Sequence, residues 1–477
     1  MKECLLNMVQ SVFRSRLRMG MIVLFLTLGT IFVFTLTTSD QYIINKPTHL
    51  PAITEMIYYT HFNVDYIDDV IDRTTKETTH IMFLKVHKAA SSTVQNIFYR
   101  FGLKRNLSFV LPLNTHYISK HMHYFSDILA PLPPEVYVSR YGRKCHPNSA
   151  NKYDILCNHM VFNRLKCRKL LHQDSVYIGI VREPFDQFIS SAFYYKFKYH
   201  YPYLDRLSND TFILDLIREP QKYESTTMIE SMTFNSMSYD FGFSFESLKD
   251  AEKLKDEAFE NFLNKTQDNF DLVMVMEKFD ESLILMRRKL NWSLRDILYL
   301  KNNEFKPKFN KSVTMTTPHI SAKDMTLFKK RNRFDYKLYA FFHQRLKEQL
   351  FREQNLHEEV KYFRMVLKDL QSFCQSNLMK IRSINVTEYD NYNETDAFTQ
   401  APSYEQELVA MIRTEKMTIP ESEWNTEFNV NVKECEYMDM EELSFFKIMK
   451  SRHLDMLKER IVVKVQEKYL NASTIHV

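Results

Sequence analysis

The sequence predicts an α/β domain, a largely parallel sheet covered by helices, carried on a membrane-anchored chain. Three observations predict it. Short apolar runs at 80–86, 153–157 (YDILC), 175–181 (SVYIGIV) and 270–276 (FDLVMVM) alternate with helix-compatible sequence, the pattern of parallel strands joined by helical crossovers. The first of these runs passes through a short loop directly into a helical period. Met19–Thr37 reads MGMIVLFLTLGTIFVFTLT, nineteen residues without a charge.

Nineteen apolar residues are enough to cross a bilayer as a helix. Lys2, Arg14, Arg16 and Arg18 lie on its amino-terminal side, which predicts that this side stays cytoplasmic and the rest of the chain is lumenal. The run is longer than a typical signal-peptide core, and Ser39-Asp40-Gln41-Tyr42 offers no small-x-small cleavage site, so a signal anchor is expected. The predicted organisation is a cytoplasmic tail (1–18), a transmembrane anchor (19–38), a stem (39–77), a lumenal domain (78–372) and a C-terminal extension (373–477). Within the extension, 385–442 turns acidic and polar and reads as a peripheral, partly disordered appendage.

Composition supports a large folded part. The chain has 477 residues, 44% of them hydrophobic, with only six glycines against 37 Phe and 27 Tyr, which argues against disorder over most of its length. A formal charge of +5 is small for this size, so nothing demands nucleic acid. Eight N-x-S/T sequons and five of the six cysteines (Cys145, Cys157, Cys167, Cys374, Cys435) fall beyond the predicted span, where disulfides can form. The odd number leaves one cysteine unpaired or intermolecular. No C-x-x-C pair or histidine cluster with metal spacing is present, so no metal is expected. The chain leaves a homo-oligomer open.

The stretch HIMFLKVHKAASSTVQNIFYRFG, residues 80–102, reads strand, loop, helix. Ile81–Val86 is apolar throughout; Val94, Ile97, Phe98 and Phe101 repeat at helical spacing, with Gly102 placed to end the helix. Between them Lys88-Ala89-Ala90-Ser91-Ser92-Thr93 puts a cation and hydroxyls on the first helical turn, where unpaired N–H groups attract anions. A phosphate-binding P-loop uses the same physics with glycines that this loop lacks. The competing reading is an ordinary strand-to-helix turn with a capping serine.

A second constellation is SVYIGIVREPFDQFISSAFYY, residues 175–195. Arg182 stands at the carboxyl end of a buried strand, Pro184 suits the first position of a helix, and Ser190 lies within that helix. Five fixed donors plus a hydroxyl suit a terminal phosphate; a surface Arg-Glu pair with solvent-facing serines is the plainer alternative. Residues 110–150, rich in Pro, His and Tyr, read as a long loop over the ligand-binding edge. Residues 323–372 read as helical and basic, with Lys329, Lys330, Arg331 and Arg333 forming a solvated or anion-facing surface.

Together the two motifs resemble those of the Golgi sulfotransferases, and more closely the galactose-3-O-sulfotransferases. LKVHKAASSTVQNIFYRFG, CNHMVF at 157–162, VREPFDQFISSAFYY and EKFDESLILMRRKLNW at 277–292 look like that family's blocks in the same order, covering about residues 78–350. The resemblance implies a sulfotransferase fold, a P-loop-like parallel sheet flanked by helices. It implies a single-pass type II protein of the Golgi membrane with its catalytic domain lumenal. The implied reaction moves sulfate from 3′-phosphoadenylyl sulfate (PAPS) to the 3-hydroxyl of terminal β-galactose on a glycolipid or glycoprotein glycan. The loop Lys88, Ala89, Ala90, Ser91, Ser92, Thr93 would hold the 5′-phosphosulfate, and Arg182 with Ser190 the 3′-phosphate. Small Ala and Ser side chains suffice there, because the loop need not enclose a triphosphate and Mg²⁺.

Sulfate transfer asks for positioning and for charge stabilisation on the departing oxygen. Lys88 is the candidate for that charge, with Lys85 assisting at the sulfonate. His159, just past the strand at 153–157, is the candidate base for the sugar hydroxyl, a position that resembles the base of uronyl 2-O-sulfotransferases. His87 is the second candidate and a substrate-contacting one. Three other classes compete. A glycosaminoglycan sulfotransferase of the uronyl 2-O type would differ in acceptor. A non-catalytic glycan-binding protein would not need both phosphate motifs. A kinase or NTPase could use Glu277, at the end of FDLVMVM, to hold Mg²⁺.

Overall fold

The structure is a computed structural model that describes residues 77–112, 117–118, 128–129, 152–197, 207–208, 211–222, 234–244, 248, 256–301, 319–384 and 404–452. All of these fall within one compact unit, Asn63–Val477. The predicted tail, anchor and all of the stem but Glu77 lie outside the described residues, among which no helix is long and apolar enough to cross a membrane.

The four apolar runs become four strands of one parallel sheet. They are β1 (Ile81–Phe83), β4 (Ile155–Leu156), β5 (Val176–Val181) and β6 (Leu272–Val275), ordered β4-β1-β5-β6. Ile81 pairs with Ile155 on one side and Val176 on the other, and Ile178 pairs with Leu272. Ile81, Met82 and Phe83 have no solvent exposure at all, as expected for a strand covered on both faces. The fold is thus α/β with a parallel sheet flanked by helices, consistent with a sulfotransferase fold. In the predicted loop 110–150, Leu111–Pro112 (β2) and Ile128–Leu129 (β3) form a small antiparallel pair; most of the rest lies outside the described residues.

The helices, in chain order, are α1 (Ser91–Lys104), α2 (Arg164–Leu170), α3 (Pro184–Phe197), α4 (Phe212–Arg218), α5 (Ser236–Asp240), α6 (Asp256–Gln267), α7 (Phe279–Leu290), α8 (Ala322–Arg331), α9 (Arg333–Phe351), α10 (Leu356–Ser383), α11 (Tyr404–Arg413) and α12 (Val432–Asp439). The strands β7 (Lys416–Ile419) and β8 (Phe428–Asn431) pair antiparallel between the last two. Helices α7 and α9 pack on β6, and α10 packs on α7.

Gly102 does not end α1. It is buried two residues before the end, and a Cβ there would lie 2.2 Å from the Phe109 ring. The glycine serves close packing against the chain entering β2. The boundary expected at 372/373 also has no counterpart, because α10 runs through it unbroken.

The C-terminal segment is part of the domain, against the expectation of a peripheral appendage for its described residues 404–442. Cys374 of α10 is disulfide-bonded to Cys435 of α12. Asn96 of α1 donates to the Tyr437 carbonyl (2.9 Å), and Arg295 pairs with Glu434 (2.9 Å). Tyr99 packs on Phe445, their ring centres 5.5 Å apart. Acidic composition suggests solvent, but these carboxylates face cations of the sheet domain. Glu442 reaches furthest under the sheet edge's loop residues: its carboxylate lies 2.5 Å from the ammonium of Lys85, itself 0% exposed. Breaking a buried ion pair from one side strands the other charge, at about 3–5 kcal/mol. Glu442→Ala is therefore expected to lower the unfolding midpoint strongly in a thermal melt, and the double variant Lys85→Met/Glu442→Leu to recover much of the loss.

Candidate active site

Every predicted chemical residue except Ser190 comes from the chain leaving a carboxyl end of the sheet, because in parallel sheets those ends share one edge. Leaving β1, Lys88 (φ 57°) and Ala90 (φ 60°) both adopt the left-handed conformation that glycine usually supplies. Each costs about 1–2 kcal/mol for a residue with a Cβ, so the surroundings must impose it. Ser91 donates its hydroxyl to the Val86 carbonyl (2.5 Å). Gln187 of α3 donates to the His87 carbonyl (2.9 Å) and Arg182 to the Lys88 carbonyl (3.1 Å). The His87 amide donates to Asp240 (2.9 Å). Four side chains from three segments thus hold a glycine-free loop in a glycine-like path.

This arrangement divides the predicted loop residues. Ser92 is exposed and Thr93 half-buried at the start of α1, open to a ligand, whereas Ala89 is buried and Ser91 is buried with its proton committed to Val86. Ser91 thus braces the loop instead of presenting a hydroxyl, and it does not cap α1, whose N-cap is Ala90 without a side-chain hydrogen bond. Lys85 is corrected more fully. Its ammonium lies beneath the loop against Glu442, with burial pulling its pKa below the usual lysine range, and no part of it is open to a ligand. The ammonium of Lys88 sits 3.5 Å over the Tyr194 ring.

Arg182 follows β5 directly. Its Nε is buried and has no hydrogen-bond partner among the described residues, so donor capacity remains in a guanidinium already anchored to the loop. Burial lowers its pKa, opposed by Asp186, Glu277 and Glu183. Glu277, the carboxylate a metal-dependent NTPase would need, accepts the Glu183 amide (2.9 Å) and so holds the turn that carries Arg182. Pro184 opens α3 as expected. Gln187 and Tyr194 both touch the β1 loop, and Ser190 and Ser191 lie between them at helical i+3 and i+4 positions, on the same face. Ser190 is half-buried; the Ser191 hydroxyl is buried without a partner among the described residues.

The third group is built on histidines. His159 and His87 stack with ring centres 4.1 Å apart and planes 12° from parallel. Nδ1 of His159 lies 3.0 Å from the Lys85 carbonyl. A carbonyl can only accept, so this nitrogen carries the proton and Nε2 is the basic one. Nδ1 of His87 lies 2.9 Å from an Asp240 oxygen, and its Nε2 is 3.4 Å from the Tyr117 hydroxyl. Asp240 is held by its short helix α5. Asp335 of α9 accepts the Met237 and Ser238 amides and the Ser238 hydroxyl, and burial pushes its carboxyl up to about 6. The site therefore sets a cationic loop beside a braced, stacked histidine pair.

A family model described as galactose-3-O-sulfotransferase matches residues 3–398. The chain belongs to the galactose-3-O-sulfotransferase family. It is 31% identical over 322 residues to galactose-3-O-sulfotransferase 2 of Mus musculus, covering 66% of this chain and 74% of that one. To the Homo sapiens protein of the same name it is 32% identical over 302 residues, 62% of this chain and 68% of that one. Galactosylceramide sulfotransferase of Mus musculus is 28% identical over 297 residues, 62% of this chain and 63% of that one. The chain is thus a carbohydrate sulfotransferase by family. The matched region ends before α11, so the segment that carries Glu434, Cys435 and Glu442 lies beyond it.

In this family member the structure brings Lys88, Ser92, Thr93 and Arg182 to one edge with His87 and His159. It withdraws Lys85 and the Ser91 hydroxyl from that edge. Asp240, Tyr117, Gln187 and Tyr194 were not anticipated. Gln187 and Tyr194 were accessible to sequence reasoning, since they flank Ser190 at helical spacing; Asp240, in a five-residue helix far along the chain, carried no signal.

Proposed function

We propose that this protein transfers sulfate from PAPS to the 3-hydroxyl of a terminal β-galactose on a glycolipid or glycoprotein glycan, as a single-pass type II protein of the Golgi membrane. The observation that carries the reading is the meeting of the two phosphate motifs: Arg182 hydrogen-bonds the carbonyl of Lys88, across the directly paired strands β1 and β5. Arg182 fits a bound phosphate, since its buried Nε lacks a partner among the described residues and a guanidinium presents further donors in a fixed fork.

When bound, the donor supplies a sulfonate whose bond to the phosphate oxygen breaks as the sugar oxygen attacks. Lys88 neutralises charge on the departing oxygen. The amides at the start of α1, with Ser92 and Thr93, hold the neighbouring anionic oxygens. Arg182 and Ser190 bind the 3′-phosphate. His159 Nε2 takes the proton of the sugar hydroxyl. Asp240 fixes the His87 tautomer, and the His87 ring, stacked flat on His159, holds that ring in place.

The test is an assay with labelled PAPS against terminal β-galactosides, heparan chains and unrelated glycans, followed by linkage analysis. Sulfate on galactose O3 is expected; sulfate on a uronic acid, or none on any acceptor, would overturn the reading. A narrower expectation concerns the donor alone. Arg182→Ala should weaken adenosine 3′,5′-bisphosphate binding at least tenfold in calorimetry, and Ser190→Ala less, while unchanged binding to Arg182→Ala would remove the second motif from the site.

A further inference from the structure

The sheet has a second polar end, opposite the candidate active site. His80, Asp154 and the turn His172–Ser175 immediately precede β1, β4 and β5. The ladder fixes their backbones: the Ile81 amide donates to the Asp154 carbonyl (2.7 Å) and the Val176 amide to the His80 carbonyl (3.0 Å). Nε2 of His80 and Nε2 of His172 each lie 3.5 Å from the same oxygen, Oδ1 of Asp154. That is too long for a good hydrogen bond. Each distance is close to one edge of a tetrahedron around a cation with ligands at about 2.0–2.1 Å, an edge of about 3.3–3.4 Å, and donor atoms of His80, His172 and the neighbouring Asp174 lie within 4.8 Å of one another.

The supporting contacts point the same way. Oδ2 of Asp154 is occupied by the amide and hydroxyl of Ser108, both at 2.7 Å, which leaves Oδ1 turned toward the histidines. His80 Nδ1 lies 2.8 Å from Asp174, so it carries the proton and Nε2 presents a lone pair; a carboxylate behind a histidine is the usual orienting partner at metal sites. Lys152 approaches this end too, but its ammonium is bonded to the Arg168 and Lys169 carbonyls (3.3 and 2.7 Å).

We propose that this end of the sheet binds one divalent cation of the zinc class through His80 Nε2, His172 Nε2 and Asp154 Oδ1, with Asp174 orienting His80 and the remaining position left to water. The donor set, two imidazoles and a carboxylate, suits such a cation. The rings are stacked 3.9 Å apart, so binding turns them out of the stack. Their side chains are 25% and 33% exposed, which leaves room for that turn. The site ties three separate chain segments together and takes no part in sulfate transfer.

Untagged full-length protein, stripped with a chelator, is dialysed against buffered micromolar Zn²⁺. One equivalent is expected to bind and to raise the thermal unfolding midpoint. His80→Ala and His172→Ala should each weaken binding at least tenfold, Asp174→Asn less, and His343→Ala, on α9, not at all. Circular dichroism establishes that each variant is folded. Absence of stoichiometric binding to the wild type, or undiminished binding to a folded His80→Ala/His172→Ala double variant, would overturn the proposal.

Discussion

Replacing Lys88 with alanine is expected to lower turnover about 100- to 1,000-fold, the loss usual when one preorganised stabiliser of developing charge is removed. Donor affinity should change less, because charge on the departing oxygen grows mainly in the transition state. The structure makes the experiment cleaner than most. Lys88 has φ 57°, a conformation as awkward for alanine as for lysine, so the substitution alters the side chain and leaves the backbone cost unchanged. Its carbonyl, held by Arg182, is also retained. Arginine should restore only part of the activity, since its planar fork does not fit the place of a compact ammonium 3.5 Å over Tyr194. Steady-state kinetics with calorimetric binding of adenosine 3′,5′-bisphosphate separates the effects. A Lys88→Ala protein with near-normal turnover would remove the loop from catalysis.

The second large effect is expected at the histidine pair. If His159 is the base, His159→Ala should reduce turnover about 100- to 10,000-fold with donor binding intact, and the acidic limb of the wild-type pH–rate profile should flatten. His87→Ala and Asp240→Asn should reduce it less and leave that limb in place, because they act on the ring stacked against the base. The reverse ranking, with the limb lost in His87→Ala and kept in His159→Ala, would move the base to the ring that Asp240 holds at 2.9 Å. Asp240→Asn is informative because an amide can still accept the His87 backbone N–H while no longer offering a carboxylate to the ring.

The four strands of the main sheet were legible because parallel strands, covered on both faces, appear as unbroken apolar runs. The loop between β1 and α1 was legible as chemistry but not as geometry. Its residue types suit an anion, yet which hydroxyls are left open depends on Val86, Gln187, Arg182 and Asp240, brought together from separate segments. Gly102 was misread because a glycine near a helix end commonly caps it, whereas here the neighbouring Phe109 ring requires it. The acidic C-terminal segment was misread because composition does not say whether a carboxylate meets water or a cation; Glu434 meets Arg295 and Glu442 meets Lys85.

By itself the sequence determined the fold class, the order of the strands along the chain, the family, and the identity of the cationic and histidine groups at the carboxyl edge. Each is a local pattern: a run of apolar residues, a helical period, or a short motif whose parts are neighbours in the chain. Only the tertiary structure decided that Lys85 is buried, that Asp240 braces His87, that Cys374 finds Cys435, and that His80 and His172 stack beside Asp154 at the far end of the sheet. These pairings join residues far apart in sequence. Their closeness follows from strand order and helix packing, which no local pattern encodes.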